Sequence, residues 1–310
     1  MSIRRIFQLF VLLTTALLLV NCSDGSGGGT VETTNPPEPS EPLSLLSPAR
    51  VEALPTGDLV VSDYTENKFC LLDKNSLEIT MCFAAKGQPT GVVYTENDGG
   101  LYFVGNRSVC SVDVFDAQGQ FIYHLGGTTG VFKSVNDLAV DSDARVVYVL
   151  DTKAKVVRLF NFNGTDTGLT IGAGILNQPT ALTIDAGASS LFVSDYGDPT
   201  VPASPSVKGF DLVTRTQNYA LPGGSSRFSS PQGIWVDNGN VFLVDVLSGE
   251  VQVWRQSDNT RIAVLGQIGS ELGELMYPLD VLVDSTSKDV FVADNRNGRI
   301  TVFRGGGIFP

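Results

Sequence analysis

Histidine is almost missing from this 310-residue chain, and His124 is the single copy. A zinc site built from several imidazoles is therefore excluded. The sequence also lacks a phosphate-binding glycine loop, a dinucleotide fingerprint and a Ser-His-Asp set with workable placement, which removes the commonest nucleotide-dependent and nucleophilic enzymes. Basic residues are few. From Cys22 onward, 19 basic residues face 33 acidic ones, a balance of −14. Such a surface repels nucleic acid and anionic lipid headgroups, and its bulk field favours cationic ligands, basic partners or divalent metals. No long stretch carries a helical period, so the 42% hydrophobic content must be buried by strands.

The N-terminus supplies an address. Arg4 and Arg5 precede the apolar run from Ile6 to Val20, which has the form of a secretory signal and is short for a membrane span. Leu19-Val20-Asn21-Cys22 resembles the bacterial lipobox, with Asn21 in place of the usual small residue. That resemblance implies cleavage after residue 21 and lipidation of Cys22. Residues 22–42 are rich in Gly, Ser, Thr, Glu and Pro, which suits a disordered tether spanning roughly 25 Å. Ser23 after the cysteine resembles outer-membrane sorting, so the expected location is the bacterial cell envelope, lipid-anchored at the outer membrane.

Between residues 43 and 304 a block repeats six times: an apolar strand opened by proline in all but the third copy, a turn, a second apolar strand that usually ends in aspartate, a polar turn, and a third strand. Pro278 to Phe303 and Pro231 to Trp254 are the clearest copies. We read the closing residues as Asp63, Gly105, Asp151, Asp195, Asp245 and Asp294, separated by 42, 46, 44, 50 and 49 residues. That period suits four-stranded antiparallel blades, and a blade cannot bury both faces without neighbours. The expected fold is all-β, a six-bladed β-propeller, with residues 305–310 left as a Gly-rich tail. The last repeat stops at its third strand. Its outer strand is expected from Pro42-Leu43-Ser44-Leu45-Leu46.

Pro231-Gln232-Gly233-Ile234, Val292-Ala293-Asp294 and Arg299-Ile300-Thr301-Val302-Phe303 are similar to the NHL repeat. Gly266-Gln267-Ile268-Gly269 is similar to that family's linker between blades. The resemblance covers about residues 45 to 303 and implies a propeller that works as a binding module.

A residue repeated in every blade is read as a turn device whose carboxylate accepts backbone N–H groups, so the closing aspartates and Asp141, Asp185, Asp237 and Asp284 are taken as structural. Residues that break the repeat say more. The position opening each first strand holds Arg50, Gly91, Asp137, Ala181, Gly233 and Asp280. Three of these are charged, and they are expected at one mouth of the channel, with Arg50 pairing with Asp280. Asn136, Asp137 and Asp280 offer oxygen ligands suited to calcium. They are also a partial echo of the paraoxonase and gluconolactonase type of propeller hydrolase, without its glutamate. On the same face the channel mouth presents Arg50 and Gln232, and loops carry Tyr64, Tyr196, Asn295 and Arg296; exposed aromatics with arginine are what protein interfaces enrich. The blade-four loop Tyr196–Pro205 is expected to stand above the rim. Cys70 and Cys82 flank a turn and could be bridged, leaving Cys110 free; the alternative is a Cys82–Cys110 bridge between blades.

These features favour a noncatalytic scaffold that binds an exported or envelope protein. No nucleic acid is expected as a partner and no cofactor beyond a candidate calcium. The alternative is a calcium-dependent lactone or ester hydrolase.

Overall fold

The computed structural model describes residues 44–305 except 186, 199, 202, 203 and 225. The expected signal segment, the Cys22 lipidation site, the tether 22–42 and the tail beyond 305 lie outside the described residues. Within them the chain is a six-bladed β-propeller. Blade one comprises β1 (Pro48–Ala53), β2 (Leu59–Asp63), β3 (Lys68–Leu72) and β4 (Ile79–Ala84). Blade two comprises β5 (Pro89–Thr95), β6 (Leu101–Asn106), β7 (Ser111–Asp116) and β8 (Phe121–His124). Blade three comprises β9 (Val135–Asp141), β10 (Val146–Asp151), β11 (Val156–Asn161) and β12 (Asp166–Ile171). Blade four comprises β13 (Pro179–Asp185), β14 (Ser190–Asp195), β15 (Ser206–Asp211) and β16 (Gln217–Pro222). Blade five comprises β17 (Pro231–Asp237), β18 (Asn240–Asp245), β19 (Glu250–Arg255) and β20 (Thr260–Leu265). Blade six comprises β21 (Pro278–Val283), β22 (Val290–Asp294) and β23 (Arg299–Phe303).

Each blade is an antiparallel meander, four-stranded in blades one to five and three-stranded in blade six among the described residues. Successive first strands touch around the channel, and β21 returns to touch β1. The core is divided into six apolar clusters, each lying between two neighbouring blades. The period-two alternation of a strand explains this. Leu59 and Val61 point into the cluster shared with blade six, whereas Val60 points into the one shared with blade two.

The repeated aspartates bind backbone. Asp151 accepts N–H bonds from Lys133 and Ser134, Asp195 from Asn177 and Gln178, and Asp245 from Ser229 and Ser230. Each carboxylate thus pins the connection entering its blade to that blade's second strand, satisfying N–H groups that would otherwise be buried without partners. Blade two departs from this and corrects the sequence reading. Its closing residue is Asn106, paired with Pro89 as Asp195 is with Pro179, and Gly105 lies one position inside the strand.

Ring closure also differs from expectation. Pro42 and Leu43 lie outside the described residues, and Ser44 to Ser47 form no strand. Leu45 instead packs its side chain into the cluster between blades six and one, beside Phe291 and Ile300. The N–H groups of Leu46 and Ser47 donate to Asp63, so these residues fill the role of an interblade connection.

Cys70 and Cys82 are register partners on β3 and β4 and are joined by a disulfide. None of the described cysteines is free, so the reading of Cys110 as a leftover thiol does not hold. Replacing Cys70 and Cys82 together by serine is expected to cost about 2–3 kcal/mol, because the bridge limits a short loop in the unfolded chain. Calorimetry should show the unfolding midpoint falling by about 5–10 °C. An unchanged midpoint would mean the hairpin is already ordered in the unfolded state.

Candidate functional site

The channel is divided in two by Arg50. This side chain, 6% exposed, enters from β1 and donates to the carbonyls of Ala49 (3.0 Å), Leu279 (3.2 Å) and Thr180 (2.9 Å). It therefore ties blade one to blades six and four across the axis. Its ion pair is with Asp137 of blade three, Nε to Oδ1 at 3.0 Å, and not with Asp280 as the sequence suggested. The Nε–H is not aligned for a hydrogen bond with any acceptor, so this contact is held by charge. Burial opposes the guanidinium charge, but the fields of Asp137 and Asp280 outweigh it, and the pKa rises.

The two aspartates stitch neighbouring blades. Asp137 accepts from Leu138 and from Leu182 of blade four, while Asp280 accepts from Val51 of blade one, all at 3.0 Å. Room for Asp280 comes from Gly233 on the preceding blade, where a Cβ would lie 2.3 Å from the Asp280 Cα. Asn136 donates its amide to the Thr180 carbonyl. Asn136, Asp137 and Asp280 thus spend polar atoms on the protein around a fixed guanidinium.

Below Arg50 the channel is a cavity of about 120 Å³ lined mostly by Val, Leu and Ile, with Glu52 inside it. Glu52 keeps some surface accessible to water, yet protein surrounds it on every side. Burial raises its pKa to about 8, helped by the fields of Asp280 and Asp137. Burial likewise raises Asp280 to about 7, against the pull of Arg50. Glu52 was not singled out in the sequence, although it follows Arg50 by two positions and so shares its strand face.

Above Arg50 lies the mouth, a cavity of about 320 Å³. Here the structure brings together Arg50, Tyr64, Asn136, Gln232, Asn295 and Arg296, all but Asn136 read from the sequence as a binding face. It adds Arg107 and Tyr277, which sequence reasoning missed. Tyr196 is half-buried and does not line this cavity, nor do the described residues of the blade-four loop. That loop folds on itself instead, with Val201 donating to Asp198 and Ser204 to Val201. No described residue lining the mouth is acidic. The overall excess of negative charge is therefore locally reversed.

His124 stands elsewhere, on the outer strand of blade two, 2.8 Å from Asp113 Oδ1. Ser111 donates to the same oxygen at 2.7 Å. Serine and histidine each bind the carboxylate and not one another, so these three do not form a nucleophilic relay.

Fold and site define a six-bladed β-propeller with a cation-bearing, aromatic-walled cavity at one end of a plugged channel. The chain is similar to hydrazine synthase from Kuenenia stuttgartiensis, with a TM-score of 0.62 and 16% identity over 90% of this chain and 81% of that one. It is also similar to a structural-genomics protein of unknown function from Bacteroides thetaiotaomicron VPI-5482, with a TM-score of 0.61 and 16% identity over 84% and 70%. At this identity the likeness is one of fold. No family model matches the chain, and no curated protein matches it by sequence.

Proposed function

We propose that this chain is a noncatalytic binding protein of the bacterial envelope, lipid-anchored at Cys22 and using its propeller mouth to hold an exported partner. One observation carries the reading: five of the six residues chosen from the sequence as a binding face line a single cavity, drawn from blades one, five and six. The NHL-like repeats and the lipobox-like Leu19-Val20-Asn21-Cys22 support it from the sequence side. Pockets with a few polar groups over an apolar base are the usual form of a ligand site. The hydrolase alternative would need a calcium to displace Arg50 from Asp137, and nothing in the arrangement favours that exchange.

Photo-crosslinking residues placed at Tyr64 or Tyr277 in intact cells should yield adducts. The same residues at Met81 or Ile122, exposed on outer strands, should not. A Cys22→Ser variant should leave the membrane fraction and lose incorporation of labelled fatty acid. Equal adducts from both sets of positions would remove the mouth as the contact face, and unchanged fractionation would remove the anchor.

A further inference from the structure

The charge at the mouth runs against the charge of the molecule. The chain carries a net −12, yet Arg107 and Arg296 line a cavity with no acidic lining residue among those described. Arg107 is only 7% exposed, and the phenols of Tyr64 and Tyr277 lie within electrostatic reach of its guanidinium. Arg296 sits on the Tyr277 ring, 4.8 Å from its centroid, which holds its fork at the rim. Gln232 is a separate sign. It is 7% exposed and it lines the cavity, which places its side-chain amide at the wall of the mouth. A primary amide at such a wall offers a ligand group two donors and one acceptor.

We propose that the mouth is a receptor for a carboxylate that has an amide or hydroxyl group next to it, the carboxylate held by Arg107 and Arg296 and the neighbouring group by Gln232. Arginine forks match a carboxylate in a bidentate way. They match phosphate as well, but the rings of Tyr64 and Tyr277 beside the guanidiniums favour a monoanion that carries an organic body over a compact, strongly hydrated dianion. The tyrosine rings, Ala49 and Leu279 give the body of such a ligand an apolar wall. A cavity of about 320 Å³ suits a small acid or the last residues of a peptide.

The inference rests on the mouth being the ligand site and specifies what that site takes. It can be tested by titrating the full-length protein with N-acetyl-alanyl-alanine and its C-terminal amide, and with lactate and lactamide, followed by calorimetry. At least one carboxylate should bind roughly ten- to a hundredfold more tightly than its amide, the range expected for losing a charged hydrogen bond. Preference for the peptide names a polypeptide C-terminus as the source, and preference for lactate names a free acid. Arg296→Gln, at an exposed position, should abolish most of the discrimination, as should Arg107→Gln if that variant folds. The assignment is overturned if neither carboxylate outbinds its amide, or if Arg296→Gln discriminates as the native protein does. Adducts from Tyr64 and Tyr277 together with no carboxylate preference would leave the binding role standing and remove only this assignment.

Discussion

Changing Arg50 to glutamine lowers the stability of the propeller by about 3–5 kcal/mol, the expected result of removing one partner from a buried ion pair. The loss comes chiefly from what is left behind. Asp137 would remain buried without its counter-charge, and the carbonyls of Thr180 and Leu279 would lose their donors. Glutamine cannot reach three blades at once. The double change Arg50→Gln with Asp137→Asn should recover part of the loss, because the orphaned charge is then gone. Denaturant titration of the wild type, both single variants and the pair measures this directly. An unchanged midpoint for Arg50→Gln would mean that water in the channel already screens the pair, and the plug would have no structural role.

Stability should also fall as the solution becomes alkaline. Glu52 and Asp280 have folded pKa values of about 8 and about 7, raised chiefly by burial, against about 4 for a carboxyl group in the unfolded chain. The native protein therefore keeps protons that the unfolded chain releases. That contribution is whole below about pH 4 and is lost as pH rises through 7 and 8. Its size is on the order of a few kcal/mol between pH 5 and pH 9. On the acid side Asp284 acts in the opposite sense. A hydrogen bond from Lys74, with backbone N–H groups adding to it, lowers its pKa to about 2, so its support is present above about 4 and is lost as pH falls through 2. The unfolding midpoint should peak near pH 5 and decline toward pH 9. Glu52→Gln and Asp280→Asn should each flatten the decline. A midpoint that rises with pH through this window would rule the account out.

Strand repeats were legible in the sequence because each blade uses the same devices, a proline or valine to open and an aspartate to close. Blade two was misread by one position, since its carboxylate is replaced by Asn106 and a glycine precedes it. That slip hid Arg107. The residue after each closing position is Tyr64, Arg107, Thr152, Tyr196, Val246 and Asn295, and three of those six line the mouth. With Asn106 as the closing residue, Arg107 falls into this row and would have been found by the same rule that found Tyr64 and Asn295. Tyr277 was missed for a different reason. It precedes Pro278, a position set aside as linker, and its backbone is left-handed with φ of 57°. The partners of Arg50 were not legible at all. Which of two aspartates a guanidinium meets depends on distances across a ring, and spacing along the chain does not encode them.

The seam between blades six and one has a mechanical meaning. No strand is shared across it among the described residues; it is held by Leu45, the Asp280 bond to Val51, the Lys74–Asp284 pair and the Arg50 bond to Leu279. A pull transmitted through Ser44 meets the Lys68 bond to its carbonyl, the packed side chain of Leu45 and then the two N–H bonds from Leu46 and Ser47 to Asp63. Asp63 belongs to β2, in the interior of a sheet. The force is thus passed to blade one's second strand before it reaches β1, which touches β21.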